Sequence, residues 1–114
     1  VRNISEMGSI PYKFVIIDEY ADLTLKGGVE ANIQLLAQKG RACGIHIILA
    51  TQRASTKIIN GDILVNFPTK VVFRVSKEID SRVMLNESGA EKLLGKGDML
   101  FSTNDGIERL QGYC

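Results

Sequence analysis

Two runs of apolar residues stand out in the first half of the chain, and each ends abruptly in polar residues. The first run covers residues 12–18 and ends in the carboxylate Asp18, which is followed directly by Glu19. The second covers residues 45–50 and leads into the polar residues 51–53. Unbroken runs rich in β-branched residues are typical of parallel strands that are buried on both faces. The pattern therefore predicts two buried strands that each deliver polar side chains at their carboxyl ends.

A helix is predicted between these two strands. Residues 19–28 are expected to be a loop, because Gly27 and Gly28 interrupt any regular pattern there. Apolar residues then recur with helical spacing up to Gly44, which is a plausible C-terminal stop. The apolar positions are Val29, Ile33, Leu36, Ala37 and Ala42. A strand, a helix and a second strand in this order make a βαβ unit with a right-handed crossover.

The second half of the chain predicts shorter elements. They are a short helix around residues 57–60 interrupted by Gly61, a strand at 69–75, a helix at 78–86 capped by Ser76, a helical turn at 90–94, and strands at 98–102 and 107–113. Asp105 and Gly106 between the last two strands are a hairpin signal. Residues 1–11 are expected to be an irregular lead-in. The whole predicts an α/β fold with a mostly parallel sheet, flanking helices and a C-terminal β-hairpin.

Size and composition narrow the class of protein. With 114 residues, 45% of them hydrophobic and 24% charged, the chain has the balance of one soluble domain. The formal net charge of +1 means that any nucleic-acid surface must be local. No apolar run approaches the roughly 18–20 residues of a membrane span. Cys43 and Cys114 match no metal spacing and are expected to be ordinary thiols, and His46 is expected to be structural.

The carboxylates after the first strand form a Walker B pattern. Phosphoryl transfer needs neutralisation of the charge on the β- and γ-phosphates and an oriented attacking water. Asp18 is predicted to hold Mg²⁺ through its waters, because Mg²⁺ keeps much of its hydration shell. Glu19 is predicted to be the base or the group that positions the water. The alternative is that both carboxylates merely end a strand at the surface.

The second strand ends in a hydroxyl, an amide and a guanidinium. Ligands of open α/β sheets bind outside the carboxyl ends of the strands, so both clusters are expected to face one nucleotide site. Thr51 and Gln52 are candidates to contact the nucleotide, and Gln52 could sense the γ-phosphate. Arg53 could stabilise charge in the transition state, where such arginines are worth about 10³–10⁵ in rate. Taken singly, these are also ordinary solvated loop residues.

Local basicity is a weaker signal. Lys70, Arg74 and Lys77 occur in a stretch without acidic residues, and Lys92 and Lys96 follow later. Lysine and arginine contacts to phosphates are independent of base sequence, as a protein that moves along DNA requires. The same pattern also fits a solvated surface.

Five ordered segments of the chain resemble motifs of the FtsK/SpoIIIE family of DNA translocases. They are VIIDEYADL at 15–23, GRACGIH with LATQR within 40–53, NFPTK at 66–70, IDSR at 79–82 and GAEKLLGKGDML at 89–100. The resemblance extends over residues 12–113 and is far more specific than a Walker B pattern alone. It implies that residues 1–114 are part of a RecA-like P-loop NTPase motor domain.

The resemblance also implies a function and partners. The family consists of hexameric, ATP-driven pumps of double-stranded DNA that act in chromosome segregation, cell division or conjugation, so ATP, Mg²⁺, double-stranded DNA and other copies of the protein are the expected partners. Gln52 matches the nucleotide-sensing position. Arg53 and Arg82 are both candidates for an arginine that acts on a neighbouring subunit. Lys77 and Lys92 fall where DNA-facing loops are expected. The segment is expected to be cytoplasmic and to make no membrane contact, with the parent protein anchored through a separate N-terminal region.

Departures from the family pattern limit the activity that is expected of this chain by itself. The Walker A loop, G-x-x-x-x-G-K-[ST], does not occur in the chain, and Ala54 replaces the proline that the family has after its Thr-Gln-Arg. Leu64 and Val65 precede NFPTK where many members carry a basic residue. Without the backbone amides and lysine of a Walker A loop, the phosphates have no cradle. The isolated chain is therefore expected not to hydrolyse ATP, and its exposed sheet edges are expected to favour association.

Two other readings of the sequence remain open. FtsK-like domains also occur in the ATPases of type VII protein secretion, which recruit secreted proteins rather than DNA. A third possibility is a structural domain that has the fold without the activity.

Overall fold

The computed structural model describes residues 12–25 and 27–113. The predicted lead-in at residues 1–11, and Cys114, lie outside these residues. Two compact units make up the chain, one of residues 1–53 and the other of residues 54–114. Within the described residues Cys43 is a free thiol, as predicted.

The first unit is the predicted βαβ arrangement. Its elements are β1 (Lys13–Ile17), α1 (Tyr20–Thr24), α2 (Val29–Gly40), a 3-10 turn (Arg41–Cys43) and β2 (Ile45–Leu49). The two strands pair in parallel, in a register that runs from Lys13 opposite Ile45 to Ile17 opposite Leu49. Both strands therefore begin at one edge of the sheet and end at the other. The predicted burial of both strands on both faces is wrong for the described residues, because the sheet of this unit contains only these two strands, and β1 is exposed along most of its length while β2 alternates between exposed and partly buried positions.

Glycine allows α2 to pack closely against the start of β2. A Cβ atom on Gly40 would lie only 3.0 Å from the Cβ of Ile45. Gly44 then takes a left-handed conformation, with φ 76°, and ends the helical segment where the sequence predicted. The buried Ile33 anchors the middle of α2.

Helix α1 was not predicted, because residues 19–28 were expected to be a loop. The helix has no side-chain cap, so the usual N-terminal signal is missing. Burial supplies the stabilisation instead, since Tyr20 and Ala21 are both nearly inaccessible to solvent. A helix of five residues with two buried side chains is held by packing rather than by intrinsic propensity.

The second unit contains the predicted C-terminal hairpin. Its elements are α3 (Gly61–Asn66), β3 (Lys70–Phe73), α4 (Glu78–Leu85), a 3-10 turn (Ala90–Lys92), β4 (Asp98–Thr103) and β5 (Gly106–Gln111). The strands form an antiparallel sheet in the order β3-β4-β5. Val72, Ala90 and Leu93 form its buried core. The α/β class, the helices and the hairpin are thus as predicted, and the parallel pairing in the described residues consists of β1 with β2.

Two helix starts differ from the prediction. The short helix expected around residues 57–60 is wrong, because Asn60 is the N-cap of α3 and its side chain accepts a hydrogen bond from the Ile63 N–H at 3.0 Å. Gly61 therefore begins that helix rather than interrupting one. The Ser76 cap is also wrong, since α4 has Lys77 at its N-cap position and no side-chain cap.

Ser81 joins α4 to the segment that follows it. The side chain is completely buried. Its hydroxyl donates to the carbonyl of Glu87 at 2.8 Å and accepts a hydrogen bond from the Ala90 N–H at 3.1 Å. One serine thus satisfies two backbone groups of the connection between α4 and the 3-10 turn.

Asp98 makes an equivalent connection at the base of the hairpin. Its carboxylate accepts two hydrogen bonds from the Arg109 guanidinium, at 2.9 and 2.6 Å, and a third from the Leu94 N–H at 2.8 Å. The carboxylate is almost fully buried, whereas Arg109 is more than half exposed. The hydrogen bonds from Arg109, followed by that from Leu94, lower the pKa of Asp98 to about 2.

We predict that Ser81→Ala destabilises the chain by about 1–3 kcal/mol, because it leaves the carbonyl of Glu87 and the N–H of Ala90 without their partner. The free energy of unfolding, measured by urea titration with circular dichroism, tests this. Ser88→Ala is a matched control at an exposed position and is expected to change the free energy by less than about 0.5 kcal/mol. Equal effects of the two substitutions would contradict the role of Ser81.

We predict that Asp98→Asn lowers stability at neutral pH and that this effect disappears in acid. The pKa of Asp98 lies at about 2 in the folded chain, below its ordinary value of 3.8. Its contribution is therefore complete above about pH 4 and is lost as the pH falls towards 2. Unfolding of both proteins between pH 2 and 7 should show the difference shrinking through that window. Asp105→Asn in the exposed hairpin turn is the control, and a difference that does not depend on pH would refute the prediction.

Candidate active site

The parallel pairing brings the carboxyl ends of β1 and β2 side by side. The pairing continues beyond the strands, because the Ala50 N–H donates to the carbonyl of Ile17 at 2.9 Å and the Tyr20 N–H donates to the carbonyl of Ala50 at 2.8 Å. Glu19 is thus fixed next to the residue that follows Ala50, which is Thr51. The predicted meeting of the two polar clusters is present in the structure.

Glu19 has an unusual backbone conformation. Its φ of 53° and ψ of 71° lie in the left-handed region, which residues other than glycine rarely adopt. The next residue, Tyr20, is completely buried, and among the described residues its hydroxyl has no hydrogen-bond partner. Conformations of this kind cluster at functional sites and persist only where the surroundings hold them.

The carboxylate of Glu19 is bound through both oxygens. Oε1 accepts a hydrogen bond from the Thr51 hydroxyl at 2.5 Å, and Oε2 accepts one from the Gln52 N–H at 3.0 Å. These two hydrogen bonds, with a smaller effect of the Arg53 charge, lower the pKa of Glu19 below its ordinary value. The carboxylate is therefore held in its ionised form at neutral pH.

Thr51 and the residues after it complete the cluster. The Thr51 hydroxyl oxygen also accepts a hydrogen bond from the Arg53 N–H at 3.2 Å. The side chains of Gln52 and Arg53 are exposed, so both are available to a ligand at this edge. The structure thus brings together Glu19, Thr51, Gln52 and Arg53.

Asp18 lies beside this cluster with its side chain exposed. Among the described residues, no group of three histidine, cysteine, aspartate or glutamate side chains is placed to hold a metal ion. Mg²⁺ is commonly bound by one or two carboxylates, together with phosphate oxygens and waters. The single exposed carboxylate of Asp18 fits a Mg²⁺ ion that arrives with a nucleotide, and it does not fit a metal site built from protein ligands alone.

The other predicted site residues belong to the second unit. Arg82 lies on α4 and forms an exposed ion pair with Glu78, one turn earlier, at 2.7 Å. Lys77 precedes α4 and Lys92 ends the 3-10 turn, and both are exposed. The positions of the two lysines leave their ammonium groups accessible to a ligand.

The direct contact between Glu19 and Thr51 was not predicted. The sequence placed the two residues at one site but gave no reason to join them, because 32 positions separate them. A threonine directly after a strand that neighbours the Walker B strand is the signal that could have suggested it. In the described part of the chain, no helix has the length and apolar character needed to cross a bilayer.

Comparison with known proteins identifies relatives along nearly the whole chain. A profile of the FtsK/SpoIIIE family matches residues 3–56. The chain is 52% identical over 110 residues to the DNA translocase FtsK of Brucella melitensis biotype 1, covering 94% of this chain and 14% of that protein. It is 53% identical over 112 residues to the DNA translocase SftA of Bacillus subtilis, covering 94% of this chain and 12% of that protein. The chain therefore spans only 14% and 12% of the lengths of these two relatives.

Solved structures share the fold. The conjugation coupling protein TcpA of pCW3, in its monomer form with ATPγS, superimposes with a TM-score of 0.87 at 28% identity and covers 97% of this chain and 36% of its own. The cytoplasmic domain of the type VII secretion ATPase EccC from Thermomonospora curvata gives a TM-score of 0.82 at 21% identity, over 96% of this chain and 13% of its own. The fold is thus that of P-loop ATPase motor domains. The profile match and the identity to the two translocases show that the chain belongs to the FtsK/SpoIIIE family.

Proposed function

We propose that this chain is the Walker B part of an ATP-driven motor that translocates double-stranded DNA. The observation that carries the proposal is the contact between Glu19, at the end of β1, and Thr51 and Gln52, at the end of the adjacent parallel strand. It provides an ionised carboxylate at the edge of the sheet where nucleotides bind. The names of the relatives as DNA translocases support DNA as the substrate.

Each polar residue has a distinct proposed role at this edge. Asp18 holds Mg²⁺ through its waters, and the ion supplies neutralisation of phosphate charge when it is bound. Glu19 orients the attacking water and accepts its proton. The exposed side chain of Gln52 reaches towards the γ-phosphate, and its position beside Glu19 supports that role.

Arg53 and Arg82 are the two proposed sources of transition-state stabilisation. Arg53 adjoins Glu19 in the same cluster, which supports a role at the nucleotide bound by this unit. Arg82 is exposed on α4, which suits contact with a neighbouring subunit. Its ion pair with Glu78 is solvent-exposed and costs little to break, since such pairs contribute only about 0–1 kcal/mol.

The wider proposal concerns the protein to which this chain belongs. Residues 1–114 form part of a motor domain, and the Walker A loop that cradles the phosphates comes from elsewhere in the motor. The motor assembles as a hexameric ring around DNA and is cytoplasmic, with membrane anchoring assigned to a separate N-terminal region. The 114-residue chain by itself is expected not to hydrolyse ATP.

We predict that Glu19→Gln abolishes ATP hydrolysis that double-stranded DNA stimulates in the full-length protein. The amide keeps the size of the side chain but cannot accept the proton, and general-base catalysis is typically worth about 10²–10⁴ in rate. Steady-state ATPase assays with and without DNA test this. Glu108→Gln, which makes the same change on the exposed face of β5, is the control and should retain full activity.

The outcomes of this assay separate the alternatives. If the rate of hydrolysis does not change with DNA and rises with a secreted protein, the motor acts in protein secretion and not in DNA translocation. If Glu19→Gln and the wild-type protein behave alike, the domain has a structural role and the proposed function is wrong.

We predict that Lys77→Ala and Lys92→Ala weaken DNA binding equally for all base sequences. Each lysine that contacts a phosphate releases counterions, so each substitution should reduce the slope of log K against log salt by roughly 0.9. Fluorescence anisotropy of the full-length protein with two unrelated duplexes over a range of salt concentrations tests this. Lys57→Ala, at another exposed lysine of the second unit, is the control, and an unchanged salt dependence in both test variants would exclude these lysines from the DNA surface.

A further inference from the structure

The hydroxyl of Thr51 already uses its one proton. It donates to Glu19 Oε1 at 2.5 Å, while its oxygen accepts a hydrogen bond from the Arg53 N–H at 3.2 Å. A threonine hydroxyl has one donor and two acceptor positions. In this arrangement Thr51 cannot donate a hydrogen bond to a nucleotide phosphate, although its place in the sequence suggested that it contacts the nucleotide.

We propose that Thr51 is a positioning residue for Glu19, which fixes the orientation of the carboxylate instead of binding the nucleotide. The inference rests on the proposed function, in which Glu19 orients the attacking water. Thr51 acts together with the N–H of Gln52, which holds the other carboxylate oxygen at 3.0 Å.

The geometry fixes the carboxylate in two ways. The left-handed backbone of Glu19 sets the direction in which the side chain leaves the main chain. Two donors on consecutive residues then hold the two oxygens, so the plane of the carboxylate cannot rotate without breaking a hydrogen bond. An ionised carboxylate has about four lone-pair positions, and donors from Thr51, Gln52 and the Ala21 backbone occupy three on Glu19, so the carboxylate keeps capacity to accept a hydrogen bond from water.

Orientation of Glu19 can be measured separately from binding of the nucleotide. A residue that orients the carboxylate without touching the nucleotide affects the rate at saturating ATP and leaves the KM for ATP unchanged. A loss of kcat in a Thr51 variant therefore reports orientation, whereas a raised KM reports a contact with the nucleotide.

The first experiment records NMR spectra of this chain at a single neutral pH and follows the Glu19 carboxyl carbon and the Gln52 amide proton. Thr51→Val removes the hydroxyl with little change in volume and is expected to shift both signals, because the carboxylate loses one of its restraints. Thr51→Ser keeps the donor and should leave both signals near their wild-type positions. Thr24→Val is the control, because it removes a threonine hydroxyl that donates to the carbonyl of Ala21 in α1. Unchanged signals in Thr51→Val would overturn the proposal.

The second experiment measures kcat and KM for ATP in the full-length protein. Thr51→Val is expected to lower kcat roughly 10- to 100-fold with little change in KM, since small displacements of a catalytic group can cost about 10²-fold, and Thr51→Ser should restore most of the rate. A raised KM with unchanged kcat would mean that Thr51 binds the nucleotide and would refute the proposal. If Glu19→Gln retains activity while Thr51→Val shifts the NMR signals of Glu19 and Gln52 as expected, the Thr51–Glu19 contact stands and the proposed function fails.

Discussion

Parallel pairing of β1 with β2 is the constraint on which the site depends. In a parallel pair, both strands run to the same edge, so residues that follow each strand meet there even though they are far apart in sequence. The main-chain hydrogen bonds around Ala50 extend this pairing by one residue beyond the strands. Because of that extension, Thr51 arrives beside Glu19 at hydrogen-bond distance. An antiparallel arrangement would have placed the two polar clusters at opposite edges.

The left-handed backbone conformation of Glu19 is energetically unfavourable and is maintained by the contacts around it. A conformation of this kind costs roughly 1–3 kcal/mol for a residue other than glycine. Glycine would remove the strain, but it would also remove the carboxylate. The burial of Tyr20 on one side and the hydrogen bonds to Thr51 and Gln52 on the other determine where Glu19 must lie. Strain at this residue is therefore what is expected if selection acts on the position of the carboxylate.

The sequence predicted those parts of the fold that depend on local patterns. Unbroken apolar runs placed β1 and β2 to within one residue, and the Asp105-Gly106 pair located the hairpin. Helix α1 was missed because it is stabilised by the burial of Tyr20 and has no capping residue that the sequence could reveal. For the site, the Walker B pattern and the family motifs identified the residues, but the bond from Thr51 to Glu19 depends on strand register, and register between strands that are distant in sequence has no local signal.

The Gln52 residue links the two functions proposed for this edge of the sheet. Its N–H donates to the carboxylate of Glu19, while its side chain is exposed and is the group proposed to sense the γ-phosphate. A change in the backbone of Gln52 must therefore either carry the carboxylate with it or break the 3.0 Å hydrogen bond. Either response alters the orientation of Glu19, with Thr51 as the remaining restraint. In the proposed function, sensing of the nucleotide and positioning of the water therefore both depend on the peptide group of Gln52.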